Sequence, residues 1–218
     1  IKPFVIKKEI KKALNQLSDI NKKIIKEDKF PLVLGGEHSI TPGSIRPFTD
    51  KFEHLTLLHF DAHADLRESY LGEKFSHASA IKRCLDYPNV SVISFGIRNI
   101  SKTEISFLKK NLNRIHIFWA KDKSKWNLNN FKKLIKNKTV YLTFDVDGLD
   151  SSIMPATGTP EPGGLLWNET LDIIRIAAKN SNIVGADINE LSPIKGFNSY
   201  NFLVAKLAYK ILSYKYLY

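Results

Sequence analysis

Leu55-Thr56-Leu57-Leu58-His59-Phe60 runs directly into Asp61-Ala62-His63-Ala64-Asp65. The first six residues form a brief apolar run of the kind that parallel sheets bury on both faces. The next five alternate acidic or imidazole side chains with alanine. In an extended backbone Asp61, His63 and Asp65 therefore share one face, while the alanines leave room on the other. His59 would share that face with Asp61, where a satisfied core histidine is the first reading and a role supporting Asp61 the second. Ligands of open parallel sheets collect beyond the carboxyl ends of the strands, so the stretch reads as a buried strand that delivers polar chemistry at its end.

Five further apolar runs recur at Pro31–Leu34, Val90–Phe95, Arg114–Phe118, Thr139–Phe144 and Ile183–Ile188, which makes six expected strands. Helical periodicity fills the intervals. Val5–Lys26 places Ile6, Ile10, Ala13, Leu14, Leu17, Ile20 and Ile24 near a 3.6-residue period, and Ser76–Leu85, Ser101–Leu112, Leu128–Ile135, Thr170–Ala178 and Tyr200–Leu212 read as further helices. Ser101 and Glu104 have the spacing of a capping box. Strands alternating with helices need crossover connections, which predicts an α/β fold, a three-layer α/β/α sandwich around a mainly parallel sheet. The long irregular stretch Pro155–Gly164, rich in proline and glycine, is the expected functional loop.

The 218 residues suffice for one well-filled core, and residues 1–218 are expected to form a single catalytic domain. No apolar run approaches the roughly 20 residues that cross a bilayer, and Ile1-Lys2-Pro3-Phe4 has no signal-peptide pattern. Cys84 is the only cysteine, which excludes an intrachain disulfide. A cytoplasmic protein with no membrane association is expected. The net charge of +11 comes from lysines scattered over helix faces, such as Lys7-Lys8, Lys109-Lys110 and Lys132-Lys133. No nucleic-acid motif accompanies them, so a solvated surface is expected rather than a nucleic-acid partner.

Two more polar clusters follow apolar runs. Asp145-Val146-Asp147 follows Thr139–Phe144, and Gly35-Gly36-Glu37-His38-Ser39 follows Pro31–Leu34. Four carboxylates and two imidazoles gathered at strand ends would destabilise one another unless positive charge sat among them. Metal ions satisfy that requirement, and the donor count suits two. Mostly carboxylate oxygens with two imidazoles favour Mn²⁺, with Fe, Co or Zn as lesser choices.

Taken in order, Gly35-Gly36-Glu37-His38-Ser39, Asp61-Ala62-His63-Ala64-Asp65, Ser76-His77, Asp145-Val146-Asp147, Pro155-Ala156-Thr157-Gly158-Thr159-Pro160 with Gly163-Gly164, and Asp187-Ile188-Asn189-Glu190-Leu191-Ser192-Pro193 resemble the ureohydrolase family, which includes arginase and agmatinase. The resemblance implies a binuclear manganese centre with His38 and Asp65 on one ion, His63 and Asp147 on the other, and Asp61 and Asp145 shared. It implies that Glu190 pairs with a guanidinium and that His77 passes a proton to the departing amine. It also implies a homo-oligomer, a trimer or hexamer. Two divalent ions would lower the pKa of a water held between them, which answers the poor electrophilicity of a guanidinium carbon. The segment Leu66–His77 is most similar to agmatinases, so the expected substrate is a small cationic guanidino compound, agmatine before arginine or another guanidino or formimino compound. Glu37 departs from the family's usual aspartate. The family's N-terminal segment, with a first strand and loops at the site mouth, is expected to be missing from this chain. A metal-binding scaffold with little turnover is the rival expectation.

Overall fold

A computed structural model of the chain describes residues 5–218; the stretch Ile1–Phe4, considered above for a signal pattern, lies outside them. Six strands, β1 (Leu32–Leu34), β2 (Leu55–Phe60), β3 (Val90–Phe95), β4 (Ile115–Phe118), β5 (Thr139–Asp145) and β6 (Asn182–Asn189), form one sheet in the order β1-β6-β5-β2-β3-β4. Every neighbouring pair is parallel. All six strands fall where the apolar runs place them, with shifts of one residue at a few ends.

Among the described residues, α1 (Ile10–Lys26) precedes β1, the helices α2 (Thr41–Lys51), α3 (Ala80–Cys84), α4 (Lys102–Lys110), α5 (Leu128–Ile135) and α6 (Trp167–Asn180) connect successive strands, and α7 (Asn198–Leu217) follows β6. Ile45, Phe48, Ile81, Cys84 and Leu108, from α2 to α4, pack on one sheet face with Leu57, Val92 and Tyr141. Phe131, Ile135, Ile174, Ala177, Leu207 and Ile211, from α5 to α7, cover the other face with Phe60, Phe95 and Phe144. The result is the expected three-layer α/β/α sandwich. Among the described residues no helix is long and apolar enough to cross a membrane.

Helix ends shift from the sequence reading, with α3 starting at Ala80 rather than Ser76, α6 spanning Trp167–Asn180 rather than Thr170–Ala178 and α7 running to Leu217 rather than Leu212, and two helices differ more. The first begins at Ile10 rather than Val5, because Gln16 turns its amide back on the preceding segment: it accepts from Lys7 N and donates to Val5 O, so those residues run beside the helix instead of within it. Helix α2 is absent from the sequence reading, since Pro42, Gly43 and Pro47 all disfavour helix. Tertiary packing explains it. A Cβ on Gly43 would sit 2.8 Å from the Leu14 carbonyl oxygen, so glycine lets α2 close against α1.

Pleating and register divide the central strands into a dry and a wet side. At one level Phe118, Phe95, Phe60, Phe144 and Ile188 are paired across β4, β3, β2, β5 and β6, with ring centroids of neighbours 4.3–6.0 Å apart. One residue back, and so on the opposite face, Ser94, His59, Thr143 and Asp187 pair across β3, β2, β5 and β6. After β2 the chain moves towards β3, while after β5 it moves towards β6. The divergence of these loops is a topological switch point, where such sheets open a crevice.

Candidate metal centre

All six proposed ligands meet at that crevice. His38 sits in a 3₁₀ turn (His38–Ile40) between β1 and α2; Asp61, His63 and Asp65 follow β2; Asp145 ends β5, and Asp147 lies in the 3₁₀ turn Val146–Gly148. They form two groups. His38 Nδ1 is 3.0 Å from Asp65 Oδ2, 3.1 Å from Asp61 Oδ2 and 3.6 Å from Asp145 Oδ2. His63 Nδ1 is 3.0 Å from Asp147 Oδ2 and 3.5 Å from Asp61 Oδ1. Asp61 thus turns one oxygen to each group.

Backbone and polar side chains fix these carboxylates. Asp61 Oδ1 accepts from His63 N at 2.6 Å, Asp145 Oδ1 from Asp147 N at 2.9 Å, and Asp147 Oδ1 from Ala62 N at 3.0 Å. Thr159, in the expected functional loop, donates its hydroxyl to Asp147 Oδ2 at 3.1 Å. His59 spans from Asp61 Oδ2 at 2.9 Å to Ser94 Oγ at 3.0 Å. Both ring nitrogens of His59 are engaged, so it supports Asp61, the second of its two sequence readings.

Electrostatics describe a site short of positive charge. Burial pushes the Asp145 carboxyl well above the usual carboxylate range, and the Asp147 and Asp61 charges push it further. Burial and the Asp61 charge raise Asp65 to about 7 despite His38. Burial opposes charge on His63, yet Asp147 and Asp61 outweigh it and raise the imidazole to about 11. His38 is likewise raised by Asp61 and Asp65 against the effect of burial. His38 Nδ1 is fully buried and makes no hydrogen bond, although carboxylate oxygens surround it. A buried imidazole nitrogen that makes no hydrogen bond and faces three carboxylates is the donor set of a divalent cation, so these residues fit a pair of divalent ions.

Above the groups opens a cavity of ≈ 340 Å³ lined by His63, Asp65, Asp145, Asp147, Glu190 and His77, among others. Glu190 Oε1 accepts from His38 N at 2.5 Å, and Glu190 N donates to Gly36 O at 2.7 Å. Glu190 has φ +66° and Asp65 φ +52°, the left-handed region that favours glycine. Such strain, costing about 1–3 kcal/mol each, concentrates at functional sites. Burial raises the Glu190 carboxyl above its ordinary value, opposed by the His38 N–H. His77 is half exposed on the cavity wall, 3.7 Å from Glu37 Oε1, with its ring edge-on to Tyr70.

A family model described as the arginase family matches residues 3–213. The chain belongs to the arginase family. It is 36% identical over 194 residues to an N(1)-aminopropylagmatine ureohydrolase of Synechocystis, an alignment covering 87% of this chain and 62% of that one. It is 38% identical over 185 residues to an agmatinase of Bacillus cereus, covering 84% and 62% respectively. The chain therefore spans about three fifths of the length of these curated relatives. A putative agmatinase from Clostridium difficile superposes with a TM-score of 0.85 at 32% identity, covering 97% of this chain and 76% of that chain.

In this arginase-family chain, sequence reasoning missed the residues that brace the ligands. Arg98, just past β3, donates to the carbonyls of Gly96, Asp147, Leu149 and Glu161 at 2.7–3.3 Å, tying the Asp147 turn to the functional loop. Thr143 lies inside an apolar run and passed as a strand residue. Asp187 appeared only as part of a motif. Their common signal is a polar residue in a strand otherwise buried on both faces, where it must find a partner.

Proposed function

We propose that this chain carries a binuclear-metal amidinohydrolase centre acting on a small cationic guanidino compound, agmatine first. His38 and Asp65 would hold one ion, His63 and Asp147 the other, with Asp61 and Asp145 shared and Mn²⁺ as the preferred metal. The observation that carries this reading is Asp61, whose two oxygens serve both groups while His38 Nδ1 stands buried without a hydrogen bond. When bound, the ions supply a water that loses a proton near neutral pH.

The chain's own groups would do the rest. Glu190, held at the cavity wall by its contacts to His38 and Gly36, would accept two N–H groups of the guanidinium and fix its plane. The oxygen of water adds to the guanidinium carbon, one C–N bond breaks, and urea and an amine leave. His77, half exposed beside Glu37, would give the leaving amine its proton, a task suited to an imidazole. The acidic wall formed with Glu37 and Glu190 favours a cation, and the one arginine among the described lining residues, Arg67, is turned to Tyr70 and Glu104 rather than towards an α-carboxylate. That supports agmatine over arginine.

The test is urea release by the purified chain after manganese loading, with agmatine, N(1)-aminopropylagmatine and arginine compared. Release from agmatine with two ions bound per chain is expected, and light scattering on the same sample tests the expected homo-oligomer. Metal bound with no release from any guanidino compound would favour the scaffold; no metal bound would end the proposal.

A further inference from the structure

The direction of the hydrogen bonds beneath His38 is fixed. Asp187, fully buried on β6, receives two donors at one oxygen: Thr143 Oγ1 at 2.6 Å and Asn189 Nδ2 at 2.7 Å, both to Oδ1. An oxygen already receiving two N–H or O–H groups is an acceptor whether or not the carboxyl carries a proton on its other oxygen. Thr143 therefore gives its only hydroxyl proton to Asp187. Register enforces the pairing, since Thr143 and Asp187 are directly opposed on β5 and β6.

Thr143 Oγ1 has two further neighbours, Thr41 Oγ1 at 3.3 Å and His38 Nε2 at 2.8 Å. With its proton committed, it can only accept from them. His38 must then carry its proton on Nε2, and in the neutral imidazole Nδ1 is a bare lone pair. That lone pair is the atom that lies 3.0–3.1 Å from the Asp65 and Asp61 carboxylates without a hydrogen bond.

We propose that Asp187 and Thr143 are positioning residues that lock His38 in its Nε2–H tautomer and present Nδ1 to the ion on the His38 side of the centre. The inference rests on the metal reading above and extends it to residues that touch no ion. Partners of this kind fix both the tautomer and the ring orientation of a ligating imidazole, and their loss costs about 10–100-fold in metal affinity. The relay serves one ion only. His63 has no contact with it and takes its support from Asp147 and Asp61.

Manganese titration, followed by calorimetry and by the electron paramagnetic resonance spectrum that distinguishes a coupled pair from a lone ion, tests the proposal. Thr143→Val keeps the shape of the side chain but cannot accept from His38. It is expected to weaken one of the two ions about 10–100-fold, leaving the spectrum of a single ion, while Thr143→Ser restores the wild-type titration. The same contrast is expected from the other end. In Asp187→Asn the amide oxygen still accepts from Thr143, so the pair of ions is retained; in Asp187→Ala nothing accepts and one ion is lost. This second pair decides the matter should Thr143→Val lose its metal-free melting transition. Wild-type affinity for both ions in Thr143→Val and Asp187→Ala would overturn the relay while leaving the metal centre intact. A serine variant as weak as the valine one would also overturn it, because packing alone would then explain the loss. Failure of the wild-type chain to take up two ions would remove the metal reading itself.

Discussion

Adding metal should stabilise this fold strongly, and more so as pH rises. Two ligand groups imply two binding events, and each ion present at 100 times its dissociation constant contributes about 2.7 kcal/mol. The pair would therefore give about 5 kcal/mol, and a chain of this size gains roughly 2–4 °C per kcal/mol. A rise in Tm of about 10–20 °C is expected over chelator-treated protein. The pH dependence follows from the same geometry. Without metal, Asp65 keeps its proton to about 7 and Asp145 is also pushed well up, whereas both would ionise near pH 4 in the unfolded chain. His63 keeps its proton to about 11, far above an unfolded histidine. Each of these groups has a folded pKa above its unfolded value. Each contributes stability that is complete below the unfolded pKa and is lost as pH climbs through the folded one. Metal-free stability should therefore fall from about pH 4 upwards, through and beyond neutrality. Binding must expel these protons, so affinity moves the other way. Differential scanning fluorimetry with and without Mn²⁺ at pH 5.5 and 8 measures both trends. A metal-induced rise equal at the two pH values, or none, would refute the reasoning.

Three substitutions probe other parts of the structure. Gly148→Ala would place a Cβ 2.7 Å from Asp61 N and 3.0 Å from Phe60 C; it should cost about 1–3 kcal/mol in stability and weaken metal uptake by displacing Asp61, as thermal melts and manganese titration would report. Glu190→Gln keeps an acceptor for His38 N but removes the charge facing the guanidinium, so kcat/KM for agmatine should fall by about 2–5 kcal/mol, roughly 30- to 5000-fold, with metal stoichiometry unchanged. Phe131→Ala empties the aromatic cluster around Phe95 and Phe118 at a cost of about 3–5 kcal/mol. Its Tm should drop by roughly 6–20 °C while the two ions still bind, because the cluster lies on the sheet face away from the ligands.

The legible parts of the sequence were those where local pattern and tertiary role agree. All six strands were short apolar runs, and all six proposed ligands stood at or just past a strand's carboxyl end, where a parallel sheet must present them. Glu104 was visible as the partner of Ser101: its Oε2 accepts from Ser101 N, and its Oε1 also holds Leu66 N beside the cavity. Helix α2 was illegible because its prolines and Gly43 oppose helix locally, and only the close approach to α1 explains them. Arg98 was illegible for a different reason. Three of its four partners are backbone carbonyls of residues 49–63 positions away, and a carbonyl leaves no mark in a sequence.

Thr143 and Asp187 show most clearly why sequence and site part company. Within Thr139–Phe144 a threonine suits a strand as well as valine does, so nothing local distinguishes a structural residue from one that aims a ligand. Register supplies the distinction. Pairing β5 with β6 sets Thr143 opposite Asp187, and pairing β5 with β2 sets it opposite His59, which turns three separate polar residues into one buried row directly beneath the ligands. A slip of one residue in either pairing would carry that row to the other face, among the phenylalanines. The aromatic row on the dry face and the polar row on the wet face therefore enforce one another: the burial that holds Phe60, Phe95 and Phe144 in place also holds His59, Thr143 and Asp187 under the proposed ligands. The cost of a slip in the core is then what sets the precision of the site.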